Sequence, residues 1–157
     1  EIKECDWSSD VCSSDLTTPE TIPDGVPYLS APPSARAKWR ARLGPRTRPR
    51  IDLVWSGNPD HANDRNRSMT LGTAMAMMPG WAEIHCLQRD MRAADIPDLA
   101  LFPELIFHGS AFADFTDTAA AALEMDRIVT VDTALLHLAG AMGLPVWALL
   151  AVQSDWR

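Results

Sequence analysis

From Ile51 onward, short apolar runs alternate with stretches that read as helix, and this alternation restricts the fold more than any other feature. The β-prone runs are Ile51 to Trp55, Glu83 to Leu87, Glu104 to Phe107, Arg127 to Val131 and Val146 to Leu150. Between them, Thr70 to Met78, Arg89 to Asp95, Asp117 to Met125 and Thr133 to Met142 have helical composition. Nearly continuous apolar strands separated by helices belong to parallel sheets covered on both faces. The expected class is therefore α/β: a Rossmann-like parallel sheet of about five strands with helices on both faces. In such sheets ligands bind beyond the carboxyl ends of the strands, near a reversal in strand order. Chemistry is then expected at Ser56 to Ser68, Gln88 to Asp90, His108 to Thr118, Asp132 to His137, and from Ala151 on.

The chain has 157 residues, enough for one domain, with 46% hydrophobic and 22% charged residues, so neither disorder nor a fibrous protein is expected. Asp132, His137 and the Gly143-Leu144-Pro145 step break up the apolar region from Ile128 to Val152, so it does not read as a membrane span. The N-terminus lacks the basic and apolar regions of a signal peptide, which makes a cytoplasmic protein the expectation.

The first sixteen residues alter the charge and thiol arguments. Cys5 to Leu16 reads CDWSSDVCSSDL, which is the translation of a common sequencing-library adapter, and Glu1-Ile2 fits the flanking adapter bases. Residues 1–16 are therefore expected to be an artefact and are set aside from fold reasoning. They carry five acids and one base, so −3 of the formal −7 belongs to the remaining residues, with 13 bases against 16 acids. Such mild acidity argues against non-specific nucleic-acid binding. Without Cys5 and Cys12 only Cys86 remains, which excludes a disulfide framework and a Cys-based zinc site.

Residues 17–50 read as a linker and a short basic helix, ahead of the domain at 51–157. Thr17 to Pro33 is proline-rich and disfavours helix or central strand. Ser34 to Leu43 reads as a helix, with Ser34 as N-cap and a stop at Gly44-Pro45. Arg36 to Arg50 holds seven basic residues and no acid, around Trp39. A nucleic-acid module using this stretch is one functional alternative; a solvated connecting helix anchored by one Trp explains the same residues.

Two segments are suited to anion chemistry. A helix starting at Thr133, after the Arg127 to Val131 strand, presents unpartnered amides and a partial positive charge to a diphosphate. His137 lies one turn further on the same face. Asp132 or Thr133 as a simple cap and His137 as an interior histidine is the structural alternative. The second segment is the long loop Ser56 to Ser68, where Gly57 permits close backbone approach and Arg65 and Arg67 supply charge matched to phosphate oxygens. It is neither a Walker loop nor a dinucleotide fingerprint. His61 with Asp60 and Asp64 lacks a second histidine at ligand spacing, and Asp-x-Asp is absent, so no metal is expected. No cofactor is expected either, and no G-x-S-x-G elbow is present.

As a set, several segments carry a resemblance. They are Val54-Trp55-Ser56-Gly57-Asn58-Pro59, Asn63-Asp64-Arg65-Asn66-Arg67-Ser68, Asp114-Phe115-Thr116-Asp117-Thr118-Ala119-Ala120, Val131-Asp132-Thr133-Ala134, His137-Leu138-Ala139-Gly140 and Gly143-Leu144-Pro145-Val146-Trp147. Together they resemble the C-terminal half of bacterial family nine glycosyltransferases, especially those joined to tetratricopeptide repeats, over about Val26 to Arg157. The resemblance implies one half of a GT-B fold, the half that grips a nucleotide-diphosphate sugar. By similarity to heptosyltransferases, Asp132, Thr133, Ala134 and His137 would contact the donor diphosphate and sugar. Ser56, Gly57, Asn58 and Arg67 would hold the phosphates, and Asp117 and Thr118 would sit near the base. The region is more distantly similar to protein O-linked N-acetylglucosamine transferases, which implies a catalytic role for Arg67 in neutralising the leaving diphosphate, with Arg65 as rival.

The implied activity is metal-independent glycosyl transfer with inversion. The general base would come from an N-terminal domain not present here, and family members usually continue past Ser154 to Arg157. The fragment alone is thus expected to bind donor weakly and turn over little. A non-catalytic nucleotide-binding module on the same fold is the other alternative. Neither a membrane span nor a nucleic-acid partner is expected.

Overall fold

Strand β1 (Arg50–Val54) is buried along its whole length because it has a neighbour on each side and helices on both faces. The computed structural model describes Gly25 and residues 27–151, so the adapter-like segment 1–16 and the terminal Ser154 to Arg157 lie outside the described residues. The other strands are β2 (Glu83–Cys86), β3 (Leu105–Phe107), β4 (Arg127–Val131) and β5 (Val146–Leu149). All pairings are parallel, in the order β3-β2-β1-β4-β5. The chain steps outward from β1 to β3, then returns to the far side of β1 for β4 and β5. That reversal leaves a crevice beyond the carboxyl ends of β1 and β4.

The two faces follow from the alternation of side chains along β1. Ile51, Leu53 and Trp55 pack with Ile84, Cys86 and Val129 under helix α3 (Leu71–Ala76), which contributes Leu71, Ala74 and Met75. Val54 faces the opposite layer with Leu87 and Ile128. That layer is covered by α1 (Pro33–Leu43) through Trp39, by α4 (Phe115–Ala122) through three buried alanines, and by α5 (Ala134–Ala141) through Leu135 and Ala139. A fully buried leucine such as Leu53 contributes roughly 1.5–3 kcal/mol. One further helical turn, α2 (Asp64–Arg67), lies in the loop after β1. Gly143, at φ 65°, ends α5 in the left-handed region, and Leu144 N–H returns 2.9 Å to the Ala139 carbonyl, which turns the chain into β5.

Two helix expectations are corrected. Ser34 is not the N-cap of α1: Pro32 holds that position and Pro33 is the first helical residue, where a missing N–H costs nothing. Arg89 to Asp95 forms turns instead of a helix, followed by a 3-10 turn at Pro97–Leu101. Its side chains reach back across the end of β1: Trp55 Nε1 donates to Asp95 Oδ2 at 2.8 Å, and Arg92 bonds the loop after β1.

The basic stretch is largely consumed internally. Arg36 and Arg40 pair with Glu124 at 2.8 and 2.9 Å, Lys38 with Asp117 at 2.7 Å, Arg46 with Asp126 at 2.6 Å and Arg50 with Glu83 at 3.2 Å. Arg42 lies over the Trp39 ring at 5.6 Å. The first four cations fasten α1 and the turn after it to α4 and the loop that follows, while Arg50 links β1 to β2, so five of the seven cations have carboxylate partners within the domain. Among the described residues no helix is long and apolar enough to cross a membrane.

Candidate functional site

A cavity of about 600 Å³ occupies the crevice, walled by residues 56–59, 87–92, 112–115 and 133–135 together with Val54 and Thr118. Its apolar surface comes from Val54, Leu87, Met91, Phe112, Phe115 and Leu135. Two helices begin at this cavity, and they differ in a way that matters for anions. Helix α4 is closed by its own N-cap: Asp114 Oδ1 accepts from Thr116 N–H at 2.8 Å and from Asp117 N–H at 3.2 Å. Helix α5 carries no side-chain cap. The hydroxyl of its N-cap, Thr133, lies 3.0 Å from Thr130 Oγ1, directed back at the strand and away from the first amides. The start of α5 therefore keeps its positive end exposed to the cavity, where Ala134 and Leu135 form the wall.

Arg67 stands beside that helix start. Its Nη2 donates to the Asp132 carbonyl oxygen, and its Nε lies 4.0 Å from Asp132 Oδ2. A Cβ at Gly57 would sit 3.5 Å from Arg67 Nη2 and 3.9 Å from Thr133 Cγ2, so this glycine lies between the two chain segments. His137 Nε2 is 3.6 Å from Asp132 Oδ1, with an exposed side chain. Gly57, Arg67, Asp132, Thr133, Ala134 and His137 are thus gathered at one edge of the sheet, and the imidazole is on the surface, outside the core.

Other residues singled out in the sequence lie differently. Asp117 is not in the cavity wall: its carboxylate accepts from Lys38 Nζ, from Trp39 Nε1 at 2.9 Å and from Ala113 N–H at 3.1 Å. Lys38 chiefly holds it below the usual carboxylate range, against the opposing effect of burial. Thr118 does line the cavity. Arg65 is exposed, and among the described residues it makes no side-chain hydrogen bond or ion pair. The Gly57 amide is occupied, donating to Ser68 Oγ at 3.0 Å, while Ser68 Oγ donates to Asp64 Oδ1 at 2.7 Å. Asn58 Oδ1 accepts from Asp60 N–H, and His61 Nδ1 from Asn63 N–H. Ser56 lines the cavity with a buried, unpartnered hydroxyl. Among the described residues no three His, Cys, Asp or Glu side chains group as metal ligands.

The sequence reading missed Arg92, which lines the cavity and binds the loop after β1. It also missed a buried polar group beneath the floor. Asp52 Oδ1 accepts from the Leu87 amide at 2.9 Å, Oδ2 has no partner, and burial pushes the carboxyl up to about 8. His85 Nδ1 and His108 Nε2 lie 2.9 Å apart in stacked rings. Burial lowers both, His108 to about 4. A polar residue within an apolar strand was the available signal for Asp52 and His85, whereas His108 lies just after β3.

Comparison with protein families returns no match, and neither does comparison with curated proteins. Among solved structures the chain is similar to E. coli ADP-heptose lps heptosyltransferase II, with a TM-score of 0.54 and 16% sequence identity. The match covers 82% of this chain and 41% of that one, so the chain spans less than half the length of that structure. At this identity the likeness is one of architecture: the chain has a heptosyltransferase-like, GT-B-type Rossmann fold.

Proposed function

We propose that this chain is the donor-binding part of a metal-independent, inverting glycosyltransferase that uses a nucleotide-diphosphate sugar, of the family nine type joined to tetratricopeptide repeats. The observation that carries the reading is the uncapped start of α5, which lines a cavity at the topological reversal, with Arg67 bonded to Asp132 next to it, outside the cavity wall. Helix amides and a guanidinium are matched to a diphosphate. The apolar wall from Val54, Leu87, Met91, Phe112 and Phe115 suits a nucleobase, and about 600 Å³ is within the usual range for ligand sites.

In the proposed reaction an acceptor oxygen attacks the anomeric carbon as the bond from that carbon to the diphosphate oxygen breaks. The acceptor proton passes to a base supplied by an N-terminal domain, and the electron pair leaves with the diphosphate. Negative charge grows on the leaving group, where Arg67 and the α5 amides stabilise it without a metal. His137, beside Asp132, would bond a phosphate or sugar oxygen.

Calorimetric titration with UDP and ADP in the presence of a chelator tests the reading. One of the two is expected to bind, and Arg67→Met is expected to weaken it by about ten- to a hundredfold, the worth of a charged hydrogen bond. Binding that requires a divalent ion, or that is unchanged in Arg67→Met, contradicts it.

A further inference from the structure

We infer that Arg92 is the positioning residue of this anion site, holding the loop after β1 so that Arg67 reaches the start of α5; the inference rests on the proposed diphosphate site for its functional meaning. The contacts come from one nitrogen. Arg92 Nη2 lies 2.5 Å from Asp64 Oδ1, 2.8 Å from Ser68 Oγ and 3.1 Å from the Gly57 carbonyl oxygen. Those acceptors span the loop, because Gly57 stands at its start, Asp64 begins α2 within it, and Ser68 follows α2 at its end. One cation thus ties Gly57 to α2 within a loop whose ends are also joined by Gly57 N–H to Ser68 Oγ at 3.0 Å and Met69 N–H to the Trp55 carbonyl at 2.9 Å.

The closure bears directly on Arg67. This residue is the last of α2, one turn after Asp64 and next to Ser68. Burial alone would raise Asp64, but hydrogen bonds from Ser68 and Arg92, and the charges of Arg92 and Arg67, outweigh it and hold the carboxyl below its usual range. Asp64 is therefore an anion paired directly with Arg92 and influenced at longer range by the Arg67 charge, and its side chain is only 13% exposed. Arg92 is in turn held from behind: Asp95 N–H returns 2.9 Å to its carbonyl, and Asp95 accepts from Trp55, two residues before Gly57. The segment after β2 embraces the loop after β1, in turns where a helix was expected.

Because all three acceptors converge on one nitrogen, an ammonium with three donors can replace it, whereas a direct forked contact with ligand could not be replaced. The test follows the Arg67 Nε–H resonance, whose nitrogen is buried, by hydrogen exchange in the 157-residue chain, alongside nucleotide titration with UDP and ADP. Arg92→Met is expected to speed exchange at Arg67 Nε–H by about tenfold or more, Asp64→Asn to do the same, and Arg92→Lys to retain most of the protection. Folding of each variant is verified from the dispersion of its amide spectrum, and the Lys and Asn variants decide the matter should Arg92→Met fail to fold. Nucleotide affinity should follow the same order, with Arg67→Met plus Arg92→Met no weaker than Arg67→Met alone. Unchanged Arg67 protection in folded Arg92→Met or Asp64→Asn overturns the inference, as does full additivity of the double variant. Failure of the wild type to bind either nucleotide, with the exchange order intact, overturns the proposed function and leaves the positioning role standing.

Discussion

Replacing Trp39 by alanine is expected to destabilise the chain by about 3–5 kcal/mol, the usual cost of removing a fully buried large aromatic. The indole has 0% exposure, stacks on Phe112 at 4.8 Å between ring centroids, and donates Nε1–H to Asp117 at 2.9 Å. Loss of the ring leaves a cavity between α1 and α4 and removes one donor from a buried carboxylate. Trp39→Phe separates the two effects: it keeps apolar contact with Phe112 and loses only the hydrogen bond and part of the volume, for about 1–3 kcal/mol. Because Phe112 also walls the cavity, Trp39→Ala should weaken the proposed nucleotide binding as well. Urea unfolding of the three proteins measures the first effect, and equal midpoints would mean that α1 is not fastened to the domain as described.

The second large effect concerns pH. Asp52, pushed up to about 8 by burial, is neutral in the folded chain and ionised in the unfolded one across the neutral range. A raised folded value means that its stabilising contribution is complete below about 3.8 and is lost as pH rises towards 8. The loss is about 1.4 kcal/mol per pH unit. His85 and His108 act with opposite sign, since burial lowers both and His108 titrates at about 4. Their contribution is complete above the unfolded value of about 6.5 and is lost as pH falls towards 4. Asp52→Asn keeps an oxygen acceptor for the Leu87 amide and removes the ionisation. From pH 6.5 to 8 the wild type should lose stability while Asp52→Asn stays flat. From pH 6.5 down to 4.5 the variant should lose stability more steeply than the wild type, because the histidines are no longer opposed. Urea midpoints measured at half-unit pH intervals decide it, and parallel profiles would contradict the buried, neutral Asp52.

These two groups also mark the limits of what the residues reveal before folding. Each strand was legible to within one residue, because a parallel strand covered on both faces must be apolar throughout, and Ile51 to Trp55 and Arg127 to Val131 are nearly so. The helix at Thr133 was legible from its place after a strand, and Arg67 from its place in the loop after β1. What was not legible depends on partners remote in sequence. Asp117 has the same local pattern whether it meets a nucleobase or Trp39, 78 residues away. Arg89 to Asp95 has helical composition, yet Asp95 and Arg92 are committed to Trp55 and to the loop after β1. Arg92 itself lies two residues past the stretch marked as close to β2. The Ser34 hydroxyl suits an N-cap, but Pro33 gives a better first turn. Among the described helices only α4 has its N-terminus filled by its own carboxylate; the open start of α5 depends on Thr133 turning its hydroxyl to Thr130, a rotamer that sequence does not encode by itself.

The central claim is that the amides at the start of α5 and the Arg67 guanidinium receive a diphosphate. Its most direct measurement is the amide and arginine side-chain nitrogen spectrum of the chain during titration with UDP or ADP in the presence of a chelator. Saturable shifts at Ala134, Leu135 and Arg67 Nε–H, with the start of α4 at Thr116 nearly still, are the predicted result. Saturable shifts centred on Thr116 and Asp117, or shifts that leave Ala134, Leu135 and Arg67 unmoved, would contradict it.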